Sequence, residues 1–290
     1  MSFAETALLG AIAGMTIYIG LPLGRMKRVG ARERVCLAML SVGILAFIFM
    51  DVGSKAEEIV SQAMNAYKHG QGGLGHALAL FALLAGGFTA GVAGISGVER
   101  WLRNRPTPPP IAGGEAGEAT LAGARGVVAP PADPAEVEAR RRALRTGMVI
   151  AVAIGLHNFA EGLAIGVSAK TGAIGLATVL IIGFGLHNAT EGFGIVGPLG
   201  SVRPSWKWLG VAGLVGGGPT FLGTLVGYQV SSSELELLFY GLAAGAILYV
   251  IGEIWTGMRR YGYRTLGLYM LAAGFLLGVA TDLVVTYGGA

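Results

Sequence analysis

Apolar residues along this chain come in stretches of roughly 20, separated by short clusters of charge, and inside a stretch they do not alternate with polar ones. At about 1.5 Å per residue, a helical run of that length crosses about 30 Å of hydrocarbon. A membrane β-strand would alternate every second residue, so the pattern selects helix. Eight spans are predicted, over residues 3–23, 35–52, 78–98, 147–169, 173–199, 206–228, 237–255 and 266–286. The expected fold is an all-α integral membrane protein, a polytopic bundle of transmembrane helices.

Basic residues orient the bundle. With the N-terminus outside, 18 of the 21 Lys and Arg residues fall in cytoplasmic loops, and only Lys55, Lys68 and Lys170 remain outside. A missed span would invert every loop after it, so this split supports both the count and the orientation, with N- and C-termini outside. The first span is followed, not preceded, by its basic cluster, which fits an N-out anchor and not a cleaved signal.

The stretch 101–146 breaks the pattern: it is rich in Pro, Gly and Ala and has no apolar period, as expected of a flexible cytoplasmic linker. The chain thus divides into 1–100 (helices one to three), 101–146 (linker), 147–200 (helices four and five) and 201–290 (helices six to eight). Glycines four apart, such as Gly10 and Gly14, Gly162 and Gly166, and Gly223 and Gly227, predict close helix packing.

Composition agrees with a membrane class. The chain is 53% hydrophobic and 13% charged, with 50 glycines in 290 residues, against about 25% charged in a soluble domain. A net charge of +4 would otherwise suggest a nucleic-acid partner. In a membrane protein it reflects cytoplasmic loops, so no nucleic acid is expected. Cys36 is the single cysteine, which excludes an intrachain disulfide.

Against this apolar background two polar motifs stand out. Gly155-Leu156-His157-Asn158-Phe159-Ala160-Glu161-Gly162 and Gly185-Leu186-His187-Asn188-Ala189-Thr190-Glu191-Gly192 are one pattern, G-L-H-N-x-x-E-G, on successive spans. Successive spans run antiparallel, so the repeat implies an approximate twofold axis in the membrane plane, where transporters often place their sites. An unpaired ionisable side chain at such depth costs at least about 2.5–3.5 kcal/mol. Residues i and i+4 share a helix face, so His157 with Glu161 and His187 with Glu191 form two ridges. Brought together, they offer two imidazoles and two carboxylates, a donor set suited to Zn²⁺, Fe²⁺ or Mn²⁺. Asn158 and Asn188 lie beside the ridges, as hydrogen-bond partners of the ligands or as oxygen ligands themselves. A His–Glu network that only fixes packing is the competing reading, and two copies at matched depth on adjacent helices argue against it.

The run His157 to Ser168 resembles the fourth-helix signature of the ZIP (Zrt/Irt-like protein) metal transporters, H-N-x-P-E-G followed by small apolar residues, and His187 to Leu199 resembles their fifth-helix motif. The resemblance implies uptake of Zn²⁺ and related ions toward the cytoplasm, by rocking one helix bundle against another. It places the primary metal site at His157, Glu161, His187 and Glu191, with helices four and five at the centre, and it puts Asn158 and Asn188 where an adjacent second site is built. Met50 and Asp51 then fall in a region that supplies ligands or outer-approach residues. Glu253 falls in a segment similar to the seventh helix, as a release-side carboxylate. This chain departs from the family pattern in three places: Ala160 and Thr190 replace the motif prolines, Asn188 is neutral, and Gly213 to Gly218 lack a buried Glu. The last two departures remove anions from the second site, so one strong metal site is expected.

The expected function is transport of a divalent transition metal, which is cargo and not a resident cofactor; zinc is favoured, with iron, manganese or cadmium open. The expected setting is a multi-pass protein of the plasma or bacterial inner membrane, in contact with lipid, with homodimerisation open. No enzymatic activity is expected. The alternative, an intramembrane zinc-dependent hydrolase, needs H-E-x-x-H, and Asn158 stands where its base would be. A bis-His haem carrier would have no use for Glu161 or Glu191. His69, His76 and Asp282 are weaker metal candidates, and Glu57 and Glu58 read as a solvated helix exit.

Overall fold

The computed structural model describes residues 1–25, 30–104, 134–171, 188–230, 232–259 and 261–287. Of these, 91% are helical, with no strand among the described residues. The helices are α1 (Phe3–Met15), α2 (Ala31–Lys68), α3 (Leu74–Asn104), α4 (Pro134–Thr171), α5 (188–196), α6 (Trp206–Gln229), α7 (Ser233–Arg259) and α8 (Arg264–Tyr287). Seven segments among the described residues are long and apolar enough to cross a membrane. The expected fifth span, 173–199, begins outside the described residues, and α5 is its described helical part.

Several boundaries differ from expectation, each for a local reason. The first span is helical only to Met15 and then continues as two 3₁₀ segments, Thr16–Ile19 and Leu21–Arg25. Thr16 Oγ1 donates to the Ala13 carbonyl at 2.5 Å, and Pro22 has no N–H with which to continue an α-helix. At its start, Ser2 and Glu5 form a reciprocal capping box, with bonds of 3.3 and 2.8 Å. Helix α2 does not stop at residue 52 but runs to Lys68, so Lys55 lies within a helix and not in a loop. Residues 134–146, expected within the linker, are the first turns of α4. Pro134 opens the helix, where a missing N–H costs nothing, and Glu136 sits in its first turn, where a negative charge complements the helix dipole.

The helices pack as two sets. In one, α4 and α1 both pack on α6, and α5 lies against the 3₁₀ segments and α4. In the other, α3 packs on α7, and α2 packs on both α7 and α8. Contacts between α4 and α7 join the sets. Glycine permits the closest approaches. A Cβ on Gly14 would overlap the Gly217 carbonyl, and a Cβ on Gly217 would overlap the Gly14 carbonyl. Between α4 and α6, Gly162 and Gly166 face the backbone at Thr220 and Thr224, while Gly223 and Gly227 face Phe159 and Leu163. With lipid outside and no water to expel, this backbone proximity is a main source of attraction between helices.

At the arginine-rich end, Arg34 on α2 ties the sets together. Its Nη1 donates to Tyr261 Oη at 2.8 Å and its Nη2 to Ser201 Oγ at 2.5 Å, and its guanidinium stacks 5.5 Å from the Tyr261 ring. Gly200 has φ 59°, and a Cβ there would come within 2.7 Å of the Arg34 side chain. Both the left-handed backbone and the space require glycine at this position.

The packing argument predicts an asymmetry between two glycines. Gly14→Leu should cost about 1–3 kcal/mol through overpacking, seen as a lower melting temperature of the detergent-solubilised protein. Gly94→Ala, within α3 and with nothing inside 4 Å of the added Cβ, should leave the melting temperature unchanged or raise it slightly, since alanine favours helix.

Candidate metal centre

Helix α4 carries His157 and Glu161 one turn apart, so both project from one face into the space beside α5. His157 and Glu191 are fully buried and Glu161 is 9% exposed. His157 Nε2 lies 3.4 Å from Glu161 Oε1 and 3.4 Å from Glu191 Oε1. One ligand atom from each of the three residues falls within 4.8 Å of the others. A charge-assisted hydrogen bond is shorter, about 2.7–2.9 Å. Two ligand atoms each about 2.1 Å from a tetrahedral Zn²⁺ ion sit about 3.4 Å apart, which is the spacing found on both imidazole edges. These three residues could therefore hold a first-row divalent ion after small side-chain adjustments.

The surroundings hold this arrangement in place. Asn158 is fully buried, and its Nδ2 donates to Glu191 Oε2 at 2.9 Å and to the Gly216 carbonyl at 3.0 Å. One amide thus links α4, α5 and α6 and orients the Glu191 carboxylate. Gly216 lies in the glycine run where the resemblance would have put a buried acid, so here the backbone carbonyl takes the amide. Asn188 is also fully buried, and its Nδ2 donates to the Ala13 carbonyl at 2.7 Å, anchoring the start of α5 to the end of α1. On α6, Pro219 has no N–H to offer the Val215 carbonyl, and Gly155 brings the α4 backbone against that same carbonyl.

The other described candidates do not join this three-residue cluster. His187 lies outside the described residues. Asp51 forms a 2.7 Å ion pair with Lys55 and does not join the three-residue cluster. Met50 is 48% exposed, midway along α2. Glu253 is exposed and lines a cavity of about 800 Å³ with Arg34, Ser201 and Tyr261. Sequence reasoning missed Lys55, although its position four residues after Asp51 on a helix was the available signal. It also missed the Gly216 and Ala13 carbonyls, for which the sequence holds no signal.

A family model described as "ZIP Zinc transporter" matches residues 129–277, more than half of the chain. No curated protein matches the chain.

Replacing Asn158 by Ala would take a donor from a buried carboxylate and a buried carbonyl at once. The expected cost is about 1–3 kcal/mol, measurable as a lower melting temperature in detergent. Ser54→Ala, which removes an exposed intrahelical hydrogen bond, should leave the melting temperature unchanged.

Proposed function

Since the chain belongs to the ZIP zinc transporter family, whose members carry divalent metals across membranes, we propose that it moves a divalent transition metal, zinc foremost, toward the cytoplasm through a site built by His157, Glu161 and Glu191. His187 is proposed as a fourth ligand, because it repeats the position of His157 in the second motif. The observation that carries this reading is the buried convergence of one imidazole and two carboxylates, with donor atoms within 4.8 Å of one another.

The chemistry suits a cargo that must be released. Imidazole and carboxylate are borderline and hard donors, which bind Zn²⁺, Fe²⁺ and Mn²⁺ without the retention that thiolates give. Asn158 acts here as a positioning residue, keeping Glu191 turned toward His157. Asn188 is held to a backbone carbonyl, and with no acid contributed by α6 the proposal is for one tightly held ion. Met50 and Asp51 are assigned to the outer approach, and Glu253 to the release side. Relative movement of the two helix sets would expose the site alternately to each face. We further propose that the stretch before α4 tethers the first three helices to the rest, and that the protein resides in the plasma or bacterial inner membrane.

The hydrolase reading is not favoured. Its base would have to occupy position 158, where Asn158 instead donates its amide to Glu191.

In proteoliposomes offered Zn²⁺, Fe²⁺, Mn²⁺ and Cd²⁺, the intact protein should accumulate metal. Glu161→Ala and Glu191→Ala should each abolish flux while still inserting, and undiminished uptake in either would refute the site. Metal analysis of the purified protein should give about one tightly held ion per chain, since a single complete donor set of this kind makes one site; a firm value of two would restore a second centre.

A further inference from the structure

One charged side chain near the proposed outer approach has no part in the transport reading. Lys55 stands one turn beyond Asp51 on α2, with its Nζ 2.7 Å from Asp51 Oδ2. The Asp51 side chain is 16% exposed and that of Lys55 41%, so the pair straddles the boundary between protein and surroundings. Val52 and Ala56, next to them on α2, are packed into the core and fix the rotational setting of the helix. An Asp–Lys pair on an open helix face would contribute little. This pair has company: Lys55 is within electrostatic reach of Glu161 on α4 and of Tyr240 on α7. Tyr240 in turn is within reach of Asp51 and Glu161. An ammonium, two carboxylates and a phenol from three helices thus act on one another electrostatically.

We propose that Lys55 is a tethered competitor for the incoming cation: its ammonium holds Asp51 until a divalent ion takes its place, and this exchange sets the metal concentration at which uptake begins and excludes monovalent ions. The proposal rests on the transport reading above. The selectivity follows from charge. A sodium or potassium ion that displaces the ammonium exchanges one unit charge for another and must also shed water. A dication doubles the attraction to Asp51 and then meets Glu161.

The test is initial-rate uptake of Zn²⁺ into proteoliposomes by wild type, Lys55→Met, Lys55→Arg, Asp51→Asn and the Asp51→Asn/Lys55→Met double variant, each at low and high NaCl. With the competitor gone and Asp51 bare, Lys55→Met should lower KM by about threefold or more and make uptake sensitive to inhibition by Na⁺. Lys55→Arg, which keeps the charge, should resemble wild type in both respects. In the double variant the gain in apparent affinity should disappear. A KM in Lys55→Met equal to or above that of wild type would overturn the proposal. So would a double variant that keeps the low KM, since Lys55 would then act by general repulsion and not by holding Asp51. If Lys55→Met fails to insert, Lys55→Gln replaces it under the same criteria. Wild-type uptake and its loss in Glu161→Ala judge the transport reading separately, so failure of the Lys55 proposal leaves that reading standing.

Discussion

A carboxylate or imidazole taken into hydrocarbon must find compensation there, because no water is present to supply it. The rest of this structure is organised around that constraint. Glu191 and His157 are fully buried and Glu161 nearly so; His157 meets Glu191 across a helix boundary and Glu161 one turn along its own helix. A pair fixed tightly would satisfy the electrostatics and exclude a cation. The 3.4 Å separations on both sides of the imidazole instead give a cluster that is compensated but not closed. Asn158 contributes by meeting the Glu191 oxygen that does not face the imidazole. The carboxylate is thereby oriented without using up the oxygen a metal would need.

Glycine makes this geometry possible. The groups at the centre are short relative to the distance between ordinary packed helices, so the backbones must come together before the side chains can. Gly155, Gly162 and Gly166 on α4 lie against carbonyls of α6, and Gly14 and Gly217 meet face to face between α1 and α6. This packing brings the Gly216 carbonyl within hydrogen-bonding range of Asn158. The same set of helices therefore carries the centre as one unit. The other set, α2, α3, α7 and α8, has its own glycine contacts, such as Gly43 against α8 and Gly245 against α3. The division between the two sets runs close to the charged groups of Asp51, Lys55 and Glu161.

Much of this was legible in the sequence where the physics is local. Hydropathy marks the spans, and the i, i+4 spacing of His157 and Glu161 puts both on one ridge before any fold is known. The pairing of that ridge with Glu191 could be read too, because the motif repeats on the next span. Less legible was anything decided by a distant partner. Asn188 looks like a site residue in the repeat, yet its amide goes to the Ala13 carbonyl at the end of α1, which also accepts from Thr16. Asp51 looks like a free outer acid until α2 is seen to continue through Lys55. The opening turns of α4 were hidden because a Pro- and Ala-rich segment resembles a linker until its helix start at Pro134 and Glu136 is recognised. His187 lies outside the described residues, so the second histidine rests on the motif alone.

The contact made by Arg34 bears on how the two sets can come apart. The guanidinium is held twice by Tyr261, through a hydrogen bond and through stacking, and once by Ser201. If the sets slide, the arginine stays with the tyrosine of its own set, and the seam opens at the serine. A hydroxyl and a guanidinium separated in a dry gap would be a heavy loss. Here both residues line the same 800 Å³ cavity, so water can rehydrate each as they part. Under the proposed sliding of one set past the other, wetting of that cavity would lower the barrier to movement.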